Sequence, residues 1–381
     1  MSKPVGGLKF DVAILGGGVA GAAVAANLSR SGYSTVIVEQ SNYQEVRIGE
    51  TLPPNIKPLL QRLGTWDRFV SGNCSPSFGI RAAWGQNQLT ENDFIHNPYG
   101  NGWQVTRNEF DEMLIGFAES SGTHVMRQTI LTNFVWDTNC VWKIDVRQNS
   151  VHQQLQAKFV IDATGRKSSF AGKLGVRRTK LDHLIGVFGF FARRDNASDQ
   201  GNFTLIEAVE DGWWYSATVP NSFTIVTLLT DADISANSQS GSGDYWLEQL
   251  KRTTHTRKRV GPISGDPDLH AVAANSSRLD EFSGKNWLAV GDAAMAFDPL
   301  SGQGIYKALQ SAFEASEAIQ RHLAGSRTAL REYSADAKRE FEAYKNKRSA
   351  YYSKEKRWLD SLFWQRRIHS NASTTPEAVF T

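Results

Sequence analysis

The residues Gly16-Gly17-Gly18-Val19-Ala20-Gly21 follow an apolar run and open an alanine-rich one, in the spacing G-x-G-x-x-G. Such a turn suits a dinucleotide pyrophosphate: Gly16 permits the tight bend, Gly18 lets phosphate approach the backbone, and Gly21 lets helix and strand close up. The amides of the first helical turn, around Ala20, then meet an anion at the positive end of the helix dipole. Glu39 ends the next apolar run about twenty residues on, where an acid can accept hydrogen bonds from a ribose diol. A second cluster, Gly291-Asp292-Ala293-Ala294, precedes Asp298-Pro299-Leu300-Ser301-Gly302-Gln303-Gly304-Ile305 and sets an acid beside a glycine-rich turn at a helix start. Glu50 and Asp298 are acids on loops, able to move a proton or, more plainly, to serve as turn and capping carboxylates.

These groups need elements to hold them. Residues 11–15, 16–18, 19–31 and 34–39 read as strand, turn, helix and strand, one βαβ unit. Helices are predicted over 56–68 and over 110–121, the latter with Phe110, Met113, Leu114 and Phe117 at helical spacing. Between 176 and 275 the pattern changes to strand runs such as 185–191, 213–219 and 223–229, and 235–244 is expected to be a solvated loop. A strand over 287–290 leads to a long helix from near Gly304 to about Arg366, and the aperiodic tail, 369–381, is expected to be mobile.

The 381 residues carry a formal charge of only +3, without a single-sign block, so nucleic-acid binding is not expected. No apolar run reaches membrane-spanning length, and the opening residues lack a basic stretch followed by an apolar core. A cytoplasmic protein with no membrane association is the expectation. Cys74 and Cys140 stand far from any second Cys or His at ligand spacing, so neither a disulfide framework nor a metal site is expected.

On these motifs the chain resembles the flavoprotein monooxygenases related to p-hydroxybenzoate hydroxylase, geranylgeranyl reductase and the flavin-dependent halogenases. Further stretches carry the likeness: Arg47-Ile48-Gly49-Glu50, Arg107 ahead of Phe110-Asp111, and Asp162-Ala163-Thr164-Gly165-Arg166. The resemblance implies FAD and an α/β fold: a Rossmann-like FAD-binding domain of the p-hydroxybenzoate hydroxylase type, an inserted β-rich substrate domain and C-terminal helices. It implies a discontinuous FAD domain over 1–75, 100–175 and 276–330, a substrate domain over 76–99 and 176–275, and C-terminal helices over 331–368. The implied FAD contacts are Gly16, Gly18, Ala20, Gly21, Glu39, Arg47, Arg107, Asp292, Pro299, Gly302, Gly304 and Ile305, with Asp292 on the ribityl chain. Amides at the Pro299 turn would favour negative charge on a reduced flavin. No second G-x-G-x-x-G occurs between a strand and a helix, so reduction is expected from NAD(P)H docked beside the flavin or through a separate reductase.

Halogenases carry Trp-x-Trp-x-Ile-Pro and a lysine; here the matching segment is Trp213-Trp214-Tyr215-Ser216-Ala217-Thr218-Val219-Pro220 and 74–84 lacks lysine, which sets halogenation aside. The chain is most similar to the flavoproteins that help build cysteine tryptophylquinone in quinoprotein oxidases and amine dehydrogenases, at 47–53, 213–220 and Tyr351-Tyr352 through Arg357-Trp358 to Phe363-Trp364-Gln365-Arg366-Arg367. That likeness implies a monooxygenase acting on a tryptophan side chain of a protein substrate, the precursor of a tryptophylquinone-containing oxidase. The alternatives are a hydroxylase or reductase of a free aromatic metabolite, and a flavin-containing assembly factor for the immature oxidase. Trp213, Trp214 and Tyr215 are candidates for the substrate lining, although alternation along a strand prevents all three from facing one pocket.

Overall fold

Val12, Ala13, Ile14 and Leu15 are buried on both faces, as a central parallel strand requires. In the computed structural model, which describes residues 8–192, 202–236, 242–263 and 265–368, this strand sits at the middle of a Rossmann-like sheet. Leu8–Leu15 pairs in parallel with Thr35–Val38 on one side and Val151–Asp162 on the other. His124–Met126 and Trp287–Ala289 extend the parallel order outward at its two ends. The helix Val19–Arg30 is buried almost all round because it lies between Arg107–Ser120 and Gly304–Leu323. Its alanines keep the three backbones close.

A second sheet runs His270–Ala273, Leu184–Ala192, Phe223–Asp231, Gly212–Val219, Phe203–Val209, Gly79–Ala83 and Thr90–Asp93. Adjacent strands are antiparallel except Phe203–Val209 with Gly79–Ala83. Alternation along Gly212–Val219 sends Trp214 to one face, against Trp246 of the helix Ser242–Lys251 with ring centroids 4.9 Å apart. Trp213 faces the other side, among Tyr352, Phe363 and Trp364 from the C-terminal helices. The architecture is α/β, with a β-rich layer between strands of the parallel sheet and helices after it, as the sequence led us to expect.

Three predicted elements differ. The helix expected over 56–68 divides at Gly64, whose left-handed φ of 86° caps Ile56–Leu63 before Trp66–Val70 begins. The long helix from Gly304 also divides, first at Gly325 and again over 353–361, into Gly304–Leu323, Ala329–Tyr352 and Leu362–Ile368. Part of the expected loop over 235–244 is helical, at Ala232–Ala236 and Ser242–Lys251; 237–241 lie outside the described residues, as does the tail 369–381.

Leu362–Ile368 is bound into the second sheet by apolar burial and by charge. Trp364 is fully buried and its Nε1 donates to Val209 O at 3.0 Å. Arg367 donates to both oxygens of buried Asp231, at 2.6 and 3.1 Å, and Arg366 adds a bond at 2.9 Å. Burial alone would raise the Asp231 pKa, but these guanidinium bonds outweigh it and hold the carboxyl below its ordinary value. Its contribution is therefore present above the ordinary carboxylate pKa and is lost as the pH falls through the lower folded value. Trp364→Ala is expected to cost about 3–5 kcal/mol, read as a shift of the urea midpoint, with the second sheet losing amide-exchange protection first.

Candidate flavin site

The helix Val19–Arg30 begins without a side-chain cap and without an acid in its first turn, so its terminal amides face an open groove. That groove, of ≈ 400 Å³, is lined by Gly16, Gly18, Val38, Glu39, Arg47, residues 129–131 and residues 163–165, among others. Gly16 has φ 103°, and a Cβ there would stand 2.3 Å from Ala163 O. One at Gly21 would stand 1.9 Å from Gly16 O, so both glycines are required by close backbone approach. Gly18 is different. A Cβ there meets nothing within 4 Å and would project into open space, which is the space a pyrophosphate needs.

Glu39 forms part of the groove wall. Its Oε2 accepts from Gly17 N at 2.6 Å, and its Oε1 accepts from Ser41 N and Oγ at 2.8 and 2.6 Å. Three of roughly four carboxylate lone-pair positions are thus taken, and the carboxylate is held in one orientation with room for one ribose hydroxyl. The groove, the uncapped helix start and this fixed acid fit the adenosine and pyrophosphate of FAD. Residues 129–131, at the start of the strand Thr129–Trp136, also line the groove and left no signature in the sequence.

Arg47 and Arg107 are joined by a residue that the sequence reading did not single out as functional. Asp111, 1 % exposed, accepts from Arg47 Nη1 at 2.8 Å and from Arg107 Nη2 at 3.1 Å. Arg107 Nη1 also donates to Ile48 O at 2.6 Å, which fixes the 47–50 loop. Arg47 lines both the dinucleotide groove and a second cavity of ≈ 280 Å³, bordered by Val46, Glu50, Arg107, Phe190, Val219 and Phe223. The loop therefore separates the two spaces.

The second fingerprint comes up against the same helix start: a Cβ at Gly291 would lie 2.8 Å from that of Ala20. Asp292, with its side chain 37 % exposed, has Lys307 Nζ 3.6 Å from Oδ1 and Arg166 Nε 3.7 Å from Oδ2. Arg178, its pKa pulled down by burial to about 10, donates to the carbonyls of Asp292 and Ala293 and so pins this backbone. Pro299–Ser301 forms a tight turn, Gly302 takes a left-handed φ of 59°, and Gly304 opens the next helix without a side-chain cap. Ile305 points into the core, while positions 302 and 304 face open space.

The two candidate acids occupy unlike surroundings. Asp298 is engaged on both oxygens: Oδ1 accepts from Leu300 N at 3.0 Å, and Oδ2 from Tyr352 Oη at 2.8 Å and Arg348 Nε at 3.1 Å. It caps and anchors the turn. Glu50 borders the second cavity, where burial raises its pKa against the opposing pull of the Gly49 amide and Arg107. Its Oε1 accepts from Gly49 N at 2.6 Å, and Tyr215 Oη lies 3.4 Å from Oε2 and 2.7 Å from Thr51 Oγ1. The structure thus brings Tyr215 to Glu50. Trp213 and Trp214 line neither cavity; they are at most 1 % exposed and pack on opposite faces of the sheet.

Among the described residues no group of three or more His, Cys, Asp or Glu is placed to hold a metal, and no helix is long and apolar enough to cross a membrane. Gly18→Val, whose side chain enters the open groove, is expected to weaken FAD binding by about tenfold or more. The apoprotein should lose only about 1 kcal/mol from the poorer helix cap. Gly21→Ala should instead unfold the apoprotein at a markedly lower temperature. Flavin fluorescence titrations and thermal melts check both, and undiminished binding by Gly18→Val would remove this groove as the cofactor site.

Comparison with known proteins agrees with this geometry. The family described as "FAD binding domain" matches residues 9–346. LodB of Marinomonas mediterranea, named as an FAD-dependent oxidoreductase, is 31% identical over 363 residues, spanning 94% of this chain and 96% of LodB. The crystal structure of CmlS, a flavin-dependent halogenase, superposes with a TM-score of 0.85 at 28% identity, covering 94% of this chain and 67% of CmlS. QhpG, a peptidyl tryptophan dihydroxylase essential for tryptophylquinone cofactor biogenesis, shares the fold with a TM-score of 0.80 at 22% identity, over 97% of this chain and 81% of QhpG. With the fingerprint glycines, the anion-ready helix and a match over most of its length, the chain belongs to the FAD-binding-domain family of flavoprotein oxidoreductases.

Proposed function

We propose that this chain is an FAD-dependent monooxygenase that hydroxylates a tryptophan side chain in the precursor of a tryptophylquinone-containing oxidase. The observation that carries this reading is the cavity beside Glu50. Its volume of ≈ 280 Å³ is near the lower end of the range for small-ligand sites, about 300–1,000 Å³. Its rim is apolar and open: Val46, Phe190 and Phe223 are 54%, 37% and 44% exposed. An exposed apolar rim around a polar floor suits one aromatic side chain presented by a large partner better than it suits a fully enclosed metabolite. The activity of QhpG, a peptidyl tryptophan dihydroxylase, supports the same substrate class.

Bound FAD supplies the redox chemistry: two electrons from NAD(P)H, direct or through a reductase, reduce dioxygen so that one oxygen atom enters an aromatic C–H bond and the other leaves as water. The protein's own part is to orient the indole, exclude bulk water and hold a proton. Burial pushes the Glu50 carboxyl above its ordinary pKa and the Tyr215 phenol well above its own, which favours the uncharged form of both. In its protonated form Glu50 would hold a proton at the edge of this cavity, with Tyr215 Oη 3.4 Å from its Oε2. Arg107 fixes the loop that carries Glu50. The absence of lysine from 74–84 speaks against the lysine-dependent chemistry of the halogenases.

Anaerobic reduction followed by air, with and without an immature quinoprotein oxidase, tests the proposal by flavin absorbance and partner mass. Flavin-dependent gain of oxygen by the partner supports it; flavin turnover with a bound but unchanged partner overturns it. Glu50→Gln is expected to lower turnover at saturating partner by about 10²-fold. The sign for stability is opposite. Because the folded pKa of Glu50 is raised, the wild type loses stability as the pH rises from the unfolded value through the folded one. Urea titrations should therefore show Glu50→Gln gaining on the wild type across that window, while unchanged turnover would exclude Glu50 as the proton source.

A further inference from the structure

A lysine in the first turns of an amphipathic helix is expected to reach solvent. Lys307 does not. Three residues after Gly304 it is 2 % exposed, its Nζ donating to Met295 O and lying 4.5 Å from the centre of the Phe297 ring. Its anionic neighbours are the Asp292 carboxylate, 3.6 Å away, and Glu340 on the helix Ala329–Tyr352; the nearby cation is Arg166. Burial pushes the lysine below its ordinary pKa, and Asp292 and Glu340 pull it back. Burying an ammonium is costly, so a packing role alone would be better filled by leucine or methionine.

The charge makes sense beside Asp292. Asp292 follows Gly291, which packs against Ala20 at the start of the helix Val19–Arg30, and a half-exposed carboxylate there would repel a dinucleotide unless its charge were compensated. Its two oxygens face different cations, Lys307 on one and Arg166 on the other. We infer that Lys307 is a positioning residue for FAD, acting through Asp292: its ammonium orients that carboxylate and offsets its charge, so that an acid can stand next to an anionic cofactor. This rests on the reading of Asp292 as a cofactor ligand. Arg166 is reached by solvent and donates to the carbonyls of Asn275 and Phe297, whereas Lys307 approaches from inside the core, so the two cations are not interchangeable.

A double-mutant cycle on FAD binding to apoprotein tests this, with K307M, D292N and the double variant followed by flavin fluorescence and apoprotein melts. K307M should raise the FAD Kd about tenfold in the wild-type background and less than about twofold in the D292N background. The apoprotein should still fold cooperatively. An equal loss in both backgrounds, or a K307M apoprotein that does not fold, would make the lysine structural and overturn the inference. D292N binding FAD as the wild type does would defeat the reading of Asp292 itself. D292N weakening FAD while K307M leaves it unchanged would defeat the role of Lys307 alone.

Discussion

Backbone-to-backbone approach at the start of the helix Val19–Arg30 constrains the rest of the molecule. Three stretches far apart in sequence meet there: Gly16 lies against Ala163, Gly21 against Gly16, and Gly291 against Ala20, each too close for a further carbon atom. Most of the opposing atoms are backbone, so no change of rotamer relieves such a contact. The carboxyl ends of the strands Leu8–Leu15, Val151–Asp162 and Trp287–Ala289 are therefore brought together, and the groove opens where their loops part. The inserted sheet has to accommodate itself to this junction.

Charge is arranged around that junction in a repeated form, an acid between two cations or their equivalents. Asp111 holds Arg47 and Arg107, Asp292 lies between Arg166 and Lys307, and Asp298 meets Arg348 and the Tyr352 hydroxyl. Glu50 departs from the pattern: its immediate partners are an amide and a phenol, and burial favours its neutral form. Acids matched to cations position loops, whereas an acid whose neutral form is favoured by burial beside a cavity is suited to holding a proton. The two candidate acids thus take different parts through their surroundings, although the sequence presents both simply as acids on loops.

The portion of the fold legible in the sequence is the portion set by short-range pattern. Gly16 through Gly21, the apolar strands beside it and Glu39 lie within one βαβ unit, where spacing and burial follow local geometry. The α/β class and the FAD-binding character followed from that unit and its second fingerprint. Asp111 was hidden because its partners lie 64 and 4 residues away and only the fold shows that one carboxylate serves both. Residues 129–131 line the groove at the start of a strand, which no side-chain type announces. The helix divisions at Gly64 and Gly325 depend on a single left-handed residue each, a signal too small to interrupt helical periodicity on either side.

Trp213 shows why a buried aromatic segment need not line a cavity. Its Nε1 donates to Tyr352 Oη at 3.1 Å, and that hydroxyl donates to Asp298 Oδ2 at 2.8 Å. The same carboxylate caps the turn Pro299–Ser301 through its other oxygen. A continuous chain of bonds therefore runs from the inserted sheet through the C-terminal helix to the turn that opens Gly304–Leu323. Tyr352 is fully buried among Trp84, Phe363 and Trp364, so the chain cannot shift without opening the core around it. Replacing Trp213 would thus disturb the turn Pro299–Ser301 through two hydrogen bonds before it altered either cavity. The aromatic residues of the C-terminal segment have the same role: they hold in register the turn Pro299–Ser301 and a sheet distant from it in sequence.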